Sequence, residues 1–380
     1  MNKKTRKKIS LGLCLITVSV VLFTIEVKNT DKPLKGEWNF SLKKVWETQK
    51  AGREMLASIA QIQVSDKGTV YVYDRKRMRF NIYDGNGEFL NTFGRLGEGP
   101  GEIKKIRSGA KLCLTSDKVA VIDYGKIHYF TQKGKYIRSV PAAGLVEKTV
   151  YFINENEILI APQSLEPKSE KVKIEGWDLK SRQKRKIKEM TFSRPPSPSG
   201  KRLHIKGEAG LMPNPILSYH QGKLFFGVNH EYKIYAADLQ GNLLFTIILE
   251  REKKKIDKQA KRDAFKNSPF KKKPQLFELF IKSIPSYPLC FYRIEEHNNL
   301  IYVFVPELNS SRAGSQRIDI FSGKGKFLYT GEMKFGNNRV SILPLSTLKI
   351  SGGYLYVALE NEAGDITLTK YTISIPGPEL

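Results

Sequence analysis

The feature that most constrains the fold is a hairpin written six times. QIQVSDKGTVYVY, beginning at Gln61, is a pair of alternating strands around a short polar turn. The same grammar returns as KLCLTSDKVAVID from Lys111, VYFINENEILIA from Val150, ILSYHQGKLFFGV from Ile216, FYRIEEHNNLIYVFV from Phe291 and LKISGGYLYVAL from Leu348. A second hairpin follows most of these units, and its turn closes on Gly87, Gly134, Gly241 or Gly325. Glycine suits the left-handed residue that ends a type I turn with a bulge, where a Cβ would clash. Around WDLKSRQKRKIK, from Trp177, the third unit has lost this glycine. Four strands per unit make a blade, so the pattern predicts an all-β, six-bladed propeller over residues 36–378.

The sixth unit shows how the ring closes. After LKISGGYLYVAL only one more strand, TLTKYTISI from Thr367, precedes the end of the chain. WNFSLKKVW, from Trp38, is an alternating segment that can supply the missing fourth strand. Pairing the two termini removes exposed strand edges, which otherwise template aggregation. The blades are longer than those of familiar propellers, and the surplus lies in loops. Part of it follows Ser164, part is the Pro-rich stretch from Ser193, and the largest is a basic insertion at about 250–289. Ile256, Ala260 and Ala264 recur there at helical spacing before Pro269, which predicts a short helix.

Residues 1–30 read as a targeting segment. A basic start, MNKKTRKKIS, is followed by an apolar run from Ile9 to Ile25 with no small-x-small cleavage site after it. This is expected to be a signal peptide or, as the missing cleavage site favours, a signal anchor that keeps its basic end in the cytoplasm and holds the propeller outside, in the periplasm if the cell is Gram-negative. Leu13 argues against lipidation of Cys14, because that position usually carries a small residue. Three cysteines at no short spacing imply neither a disulfide framework nor a zinc knuckle, and Cys113 and Cys290 lie among strand residues as small hydrophobes.

FGRLGEGPGEI, from Phe93 to Ile103, invites a phosphate-cradle reading. The reading fails on chemistry: no helix opens after it, no Lys-Ser/Thr follows, and Pro100 removes a backbone donor. Gly94, Gly97, Gly99 and Gly101 instead mark a crossing between blades. With DKGTVYVYD before it, IYDGNGEFLNTFGRLGEGPGEI resembles the NHL repeat and its bacterial, exported six-bladed relatives. The basic insertion followed by IPSYPLCFYRIEEHNN also looks like the variable stretch between their fourth and fifth blades. The resemblance implies a propeller. It leaves function open, since one fold hosts many activities.

Some propellers of that kind are lyases or lactone hydrolases with an axial metal, which gives the alternative reading. The sequence offers little for it. His128, His204, His220, His230 and His297 are not paired at ligand spacing, Asp74, Asp84, Asp123 and Asp238 lie at strand ends or turns, and no nucleophile motif is present. No cofactor or metal is expected. Charge is more informative: the chain carries a formal +26. Arg251–Lys273 holds eleven basic residues against three acidic ones, and Lys180–Lys188 holds six with none. Such clusters attract anionic lipid, acidic glycan or an acidic envelope protein. Nucleic acid is disfavoured, because aromatics do not interleave with the basic runs and the leader directs export. The expectation is a monomeric, membrane-tethered binding module for an anionic partner, contacted through Arg53, Arg95, Arg202, Lys206, Tyr287 and Arg339 on the blade connections.

Overall fold

The computed structural model describes residues 25–104, 110–165, 170–192, 213–264, 273–306, 314–340 and 347–377. Each predicted unit forms one antiparallel sheet, and the six sheets are the blades of a β-propeller. Blade 1 runs Ile59–Val64, Val70–Asp74, Arg79–Tyr83 and Phe89–Phe93 from axis to rim. Blade 2 runs Lys111–Leu114, Lys118–Ile122, Lys126–Thr131 and Tyr136–Pro141, and blade 3 Lys148–Phe152, Glu157–Pro162, Lys171–Asp178 and Lys184–Thr191. Blade 4 contains Pro215–His220, Lys223–Val228, Lys233–Asp238 and Leu243–Glu250; blade 5 contains Arg293–His297, Leu300–Val305, Ser315–Ser322 and Phe327–Lys334. In blade 6, Leu348–Ser351 and the short Arg339–Val340 share one side of Tyr354–Glu360, with Ile366–Ile373 beyond.

The N-terminal segment supplies the closing strand, but a few residues later than Trp38 suggested. Leu42–Thr48 pairs antiparallel with Ile366–Ile373, placing Lys44 opposite Tyr371 and Leu42 opposite Ile373. Trp38 belongs to a different edge: Glu37–Asn39 pairs in parallel with the rim strand of blade 5. The indole Nε1 of Trp38 still reaches across to donate to the Ser374 carbonyl, at 3.0 Å. Ile25–Thr30, which falls within the span read as leader, pairs in parallel with the rim strand of blade 4, Ile25 opposite Phe245 and Thr30 opposite Glu250. The segment is therefore a belt that covers the exposed edges of blades 4 and 5 before it completes blade 6.

Buried apolar residues cluster between neighbouring blades, once per junction. Tyr71, Phe80 and Phe93 of blade 1 meet Val119, Val121 and Phe130 of blade 2. At the closing junction Tyr356 and Leu368 of blade 6 meet Ile62, Val72 and Tyr83 of blade 1. Fully burying one such side chain contributes about 1.5–3 kcal/mol, so the closing junction is held by the same means as the rest.

The turn glycines explain how blades approach at the rim. Gly87, Gly134, Gly241 and Gly325 all take φ between +82° and +88°, with a register shift in the strand before each turn. Each also touches the rim strand of the preceding blade. A Cβ on Gly241 would lie 2.0 Å from the Ile187 carbonyl oxygen of blade 3, and one on Gly87 2.6 Å from the Trp46 ring of blade 6. At this closing contact Trp46 Nε1 donates to the Gly85 carbonyl at 3.0 Å, and Lys370 Nζ donates to the same oxygen at 2.9 Å. Blade 3 keeps its four strands without the glycine because Arg182 takes the left-handed conformation, φ +62°.

The basic insertion contains the expected helix, at Lys258–Ala264, and a second at Pro274–Ser283 opened by a proline at its first turn. Phe280, Ile281 and Ile284 of the second are buried. Pro269 lies outside the described residues.

Candidate functional site

The innermost strands surround the axis, and their alternation divides each into a packing face and an axial face. Ile62, Leu112, Val150, Leu217, Ile294 and Ile350 are buried between blades. The intervening residues are Gln61, Lys111, Cys113, Tyr151, Ser218, Arg293, Glu295 and Lys349. Several are fixed by the next strand around the ring. Gln61 accepts from the Leu112 amide at 2.8 Å through Oε1 and donates to the Leu112 carbonyl through Nε2, and the Tyr151 hydroxyl donates to the Leu217 carbonyl at 2.9 Å.

Charge on the axis is unbalanced. Glu295 Oε1 accepts from Arg293 Nη2 and from Lys349 Nζ at 3.3 Å. Lys111 Nζ donates to the Leu145 carbonyl at 3.1 Å. Two cations thus share the Glu295 carboxylate, while Lys111 lies nearer Glu147. Burial drives the Glu295 pKa up, but Arg293 and Lys349 override it and hold the carboxyl below its ordinary value. Burial lowers Lys111 to about 8, with Cys113 and Glu147 opposing. It raises the Cys113 thiol and the Tyr151 phenol each to about 12, which leaves both protonated at neutral pH. Solvent reaches the group, since Lys349 is 32% exposed and Arg293 15%.

This donor set does not fit the divalent ion of the axial-metal reading. Among the described residues no three His, Cys, Asp or Glu side chains converge, and the axial carboxylate is already engaged by two cations. A site rich in lysine and arginine suits an anion.

The expected contact residues are dispersed. Arg53 is exposed in the turn of a small hairpin, Lys50–Ala51 with Glu54–Met55, on the connection into blade 1. Arg339 is exposed at the start of blade 6, opposite Glu360 in the ladder, and Tyr287 is 49% exposed in the insertion. Arg95 donates through Nε to Glu102 Oε1 at 2.7 Å. No hydrogen bond or ion pair joins these four to one another; Arg202 and Lys206 lie outside the described residues. What residue-by-residue reading missed is the axial set. Its signal was present in QIQ, KLC, RIE and LKI, where polar residues alternate with buried apolar ones in four of the six first strands.

The glycine stretch does cradle an anion, and the anion is the chain's own. Glu102 turns back under the loop, accepting from the Gly99 amide at 2.8 Å as well as from Arg95, and these bonds lower its pKa. A Cβ on Gly97 would lie 2.0 Å from Glu102 Oε2. Beneath the loop runs a polar chain from blade 2. Asp123 Oδ2 meets His128 Nε2 at 3.0 Å, His128 Nδ1 meets Ser139 Oγ at 3.0 Å, and Tyr136 Oη meets the same Oγ at 2.8 Å. The spacing is that of a serine nucleophile with its base, but the surroundings are those of a brace. Lys104 donates its amide to Asp123, and Gly101 rests on the Tyr136 ring. Burial raises the Asp123 pKa, and the bonds from His128, Gly125 and Lys104 outweigh it, bringing the carboxyl down to about 2.

No protein-family model matches the chain, and no curated protein matches it in sequence. Solved structures do. A DUF4221 member from Bacteroides vulgatus is similar over 89% of this chain and 99% of its own, at 13% identity and a TM-score of 0.55. A candidate exported protein from Bacteroides fragilis is similar over 93% and 100%, at 12% identity and a TM-score of 0.56. Identities this low carry the fold and stop there.

Proposed function

We propose that this is an exported, membrane-tethered six-bladed propeller that binds an anionic group on its axis. The observation that carries the reading is the pair Arg293 and Lys349 on the one carboxylate of Glu295, with Lys111 on the first strand of another blade. Half-buried cations that outnumber the carboxylate they share leave positive charge over, and an anion entering from solvent would offset it. Arg53, Arg95 and Arg339 on the blade connections would raise the local concentration of such a ligand without holding it. Export is supported by the leader pattern and by the description of the Bacteroides fragilis neighbour. Kinship with NHL-type propellers is supported by the FGRLGEGPGEI junction.

The test is calorimetry with inorganic phosphate and with a short acidic oligosaccharide at low and high salt. One of them should bind, weaken steeply with salt, and lose at least tenfold in affinity in Arg293→Ala and Lys349→Met. Equal affinity in wild type and both variants would place the ligand elsewhere.

A further inference from the structure

The two basic clusters that look alike in sequence lie at opposite ends of one strand. The insertion leaves blade 4 after Glu250, at the end of Leu243–Glu250, whereas Lys180–Lys188 lies against the turn that precedes this strand. Lys188 Nζ donates to the Gly241 carbonyl at 3.2 Å, and Arg185 Nη1 donates to the Leu239 carbonyl at 2.9 Å. Eight extended residues separate the two ends by roughly 25 Å.

The start of the described chain lies at the same end as Lys180–Lys188. Ile25 pairs with Phe245 in parallel, so the belt strand begins at the end of the sheet where the Asp238–Asn242 turn lies. The apolar run from Ile9 ends at Ile25 itself, leaving no spacer between a membrane segment and the first strand. Ile25 is 64% exposed there, and Leu244 beside it is 41% exposed. Around this corner Lys180, Arg182, Lys184 and Lys186 are exposed and, among the described residues, none of them is in an ion pair, though Lys184 lies over the Trp177 ring; Lys28 is exposed on the belt strand. Residues some 155 positions apart in sequence are thereby brought together as an apolar exit and a basic apron.

We propose that this corner, formed by Lys180–Lys186 of blade 3 and the belt edge of blade 4, docks on anionic lipid headgroups. The inference rests on the tether reading of the N-terminal run. Charge complementarity and the position where the chain leaves the propeller point to lipid, and they do so for this cluster only. The insertion and the blade connections then face away from the bilayer, toward soluble or wall-bound partners. A basic patch within a Debye length of an anionic surface, reinforced by an apolar segment, is the two-signal arrangement that gives stable attachment.

The experiment uses the full chain reconstituted into nanodiscs of phosphatidylcholine alone or with phosphatidylglycerol. Fluorophores placed singly at Gln183→Cys and Tyr287→Cys, in a Cys14→Ser background, report proximity to a headgroup quencher. The Gln183 label should be quenched several-fold more than the Tyr287 label. That gap should widen with phosphatidylglycerol and close in high salt or in the combined Lys180→Glu, Arg182→Glu, Lys184→Glu, Lys186→Glu variant, whose melting temperature checks its folding. Equal quenching at both sites, stronger quenching at Tyr287, or preference of the patch for an acidic polysaccharide over phosphatidylglycerol would overturn the proposal. Intact mass after membrane extraction separates the premise: loss of the first two dozen residues would defeat the tether alone.

Discussion

Two buried ion clusters in this propeller are built from the same chemistry and balanced in opposite directions. Near the rim, Asp319 of blade 5 accepts from Arg251 at 2.8 Å, Tyr232 at 2.8 Å and Thr330 at 3.0 Å, while Arg251 also donates to Asp31 of the belt. Arg251 lies over the Tyr232 and Phe327 rings. Two carboxylates thus enclose one guanidinium, which burial pushes down but these partners drive further up, so it never loses its charge. On the axis the count is reversed, with two cations, Arg293 and Lys349, on the carboxylate of Glu295. A closed, compensated cluster is a lock between blades. A cluster left with surplus positive charge and open to solvent is where the proposed anion would bind.

The contrast can be broken most forcefully at the lock. Arg251→Ala leaves buried Asp319 with only the more distant Arg317, at 3.9 Å, as counter-ion and should cost about 3 kcal/mol, read as a lower urea midpoint; a loss below about 1 kcal/mol would mean that Asp31 and Arg251 merely decorate the rim. Next comes the rim turn. Gly241→Ala meets both a positive φ and the Ile187 carbonyl, and should cost about 1–3 kcal/mol, whereas a glycine at Arg182 should cost nothing or stabilise slightly. Comparable in size is the axial change: Glu295→Gln removes the counter-charge of Arg293 and Lys349 and should cost about 1–3 kcal/mol, yet tighten binding of the anion that Arg293 and Lys349 hold, as calorimetry would show.

Two pH effects sharpen the same comparison. Because Asp123 is depressed to about 2 in the fold, its contribution is complete above the ordinary carboxylate value of about 3.9 and is lost as pH falls toward 2. Asp123→Asn should flatten the acid limb of the melting curve. Lys111, lowered to about 8, should lose its charge as pH rises from 7 to 9, so anion affinity should fall over that range in wild type and not in Lys111→Met.

Much of the architecture was legible in the chain because propeller blades are local. A hairpin's alternation and its turn glycine are decided within a dozen residues, so Gly87, Gly134, Gly241 and Gly325 marked four blades before any contact was known. The closing strand was legible only approximately, since WNFSLKKVW alternates throughout and nothing local tells Glu37–Asn39 from Leu42–Thr48. The site was legible least. Residue type suggested exposed arginines on the connections, while the axial cations Lys111, Arg293 and Lys349 lie on three first strands far apart in the chain.

By itself, the sequence determined the number of blades, their turn chemistry and the excess of positive charge, because each follows from local periodicity or from counting. Only the tertiary structure decided which charges meet. The ring brings Lys111, Arg293 and Lys349 to one axis, sets Arg251 between Asp31 and Asp319, and lays the belt beside Lys180–Lys188. The physical reason is that strand pairing is written in short-range pattern, whereas electrostatic partnership depends on distances that exist only once the ring has closed.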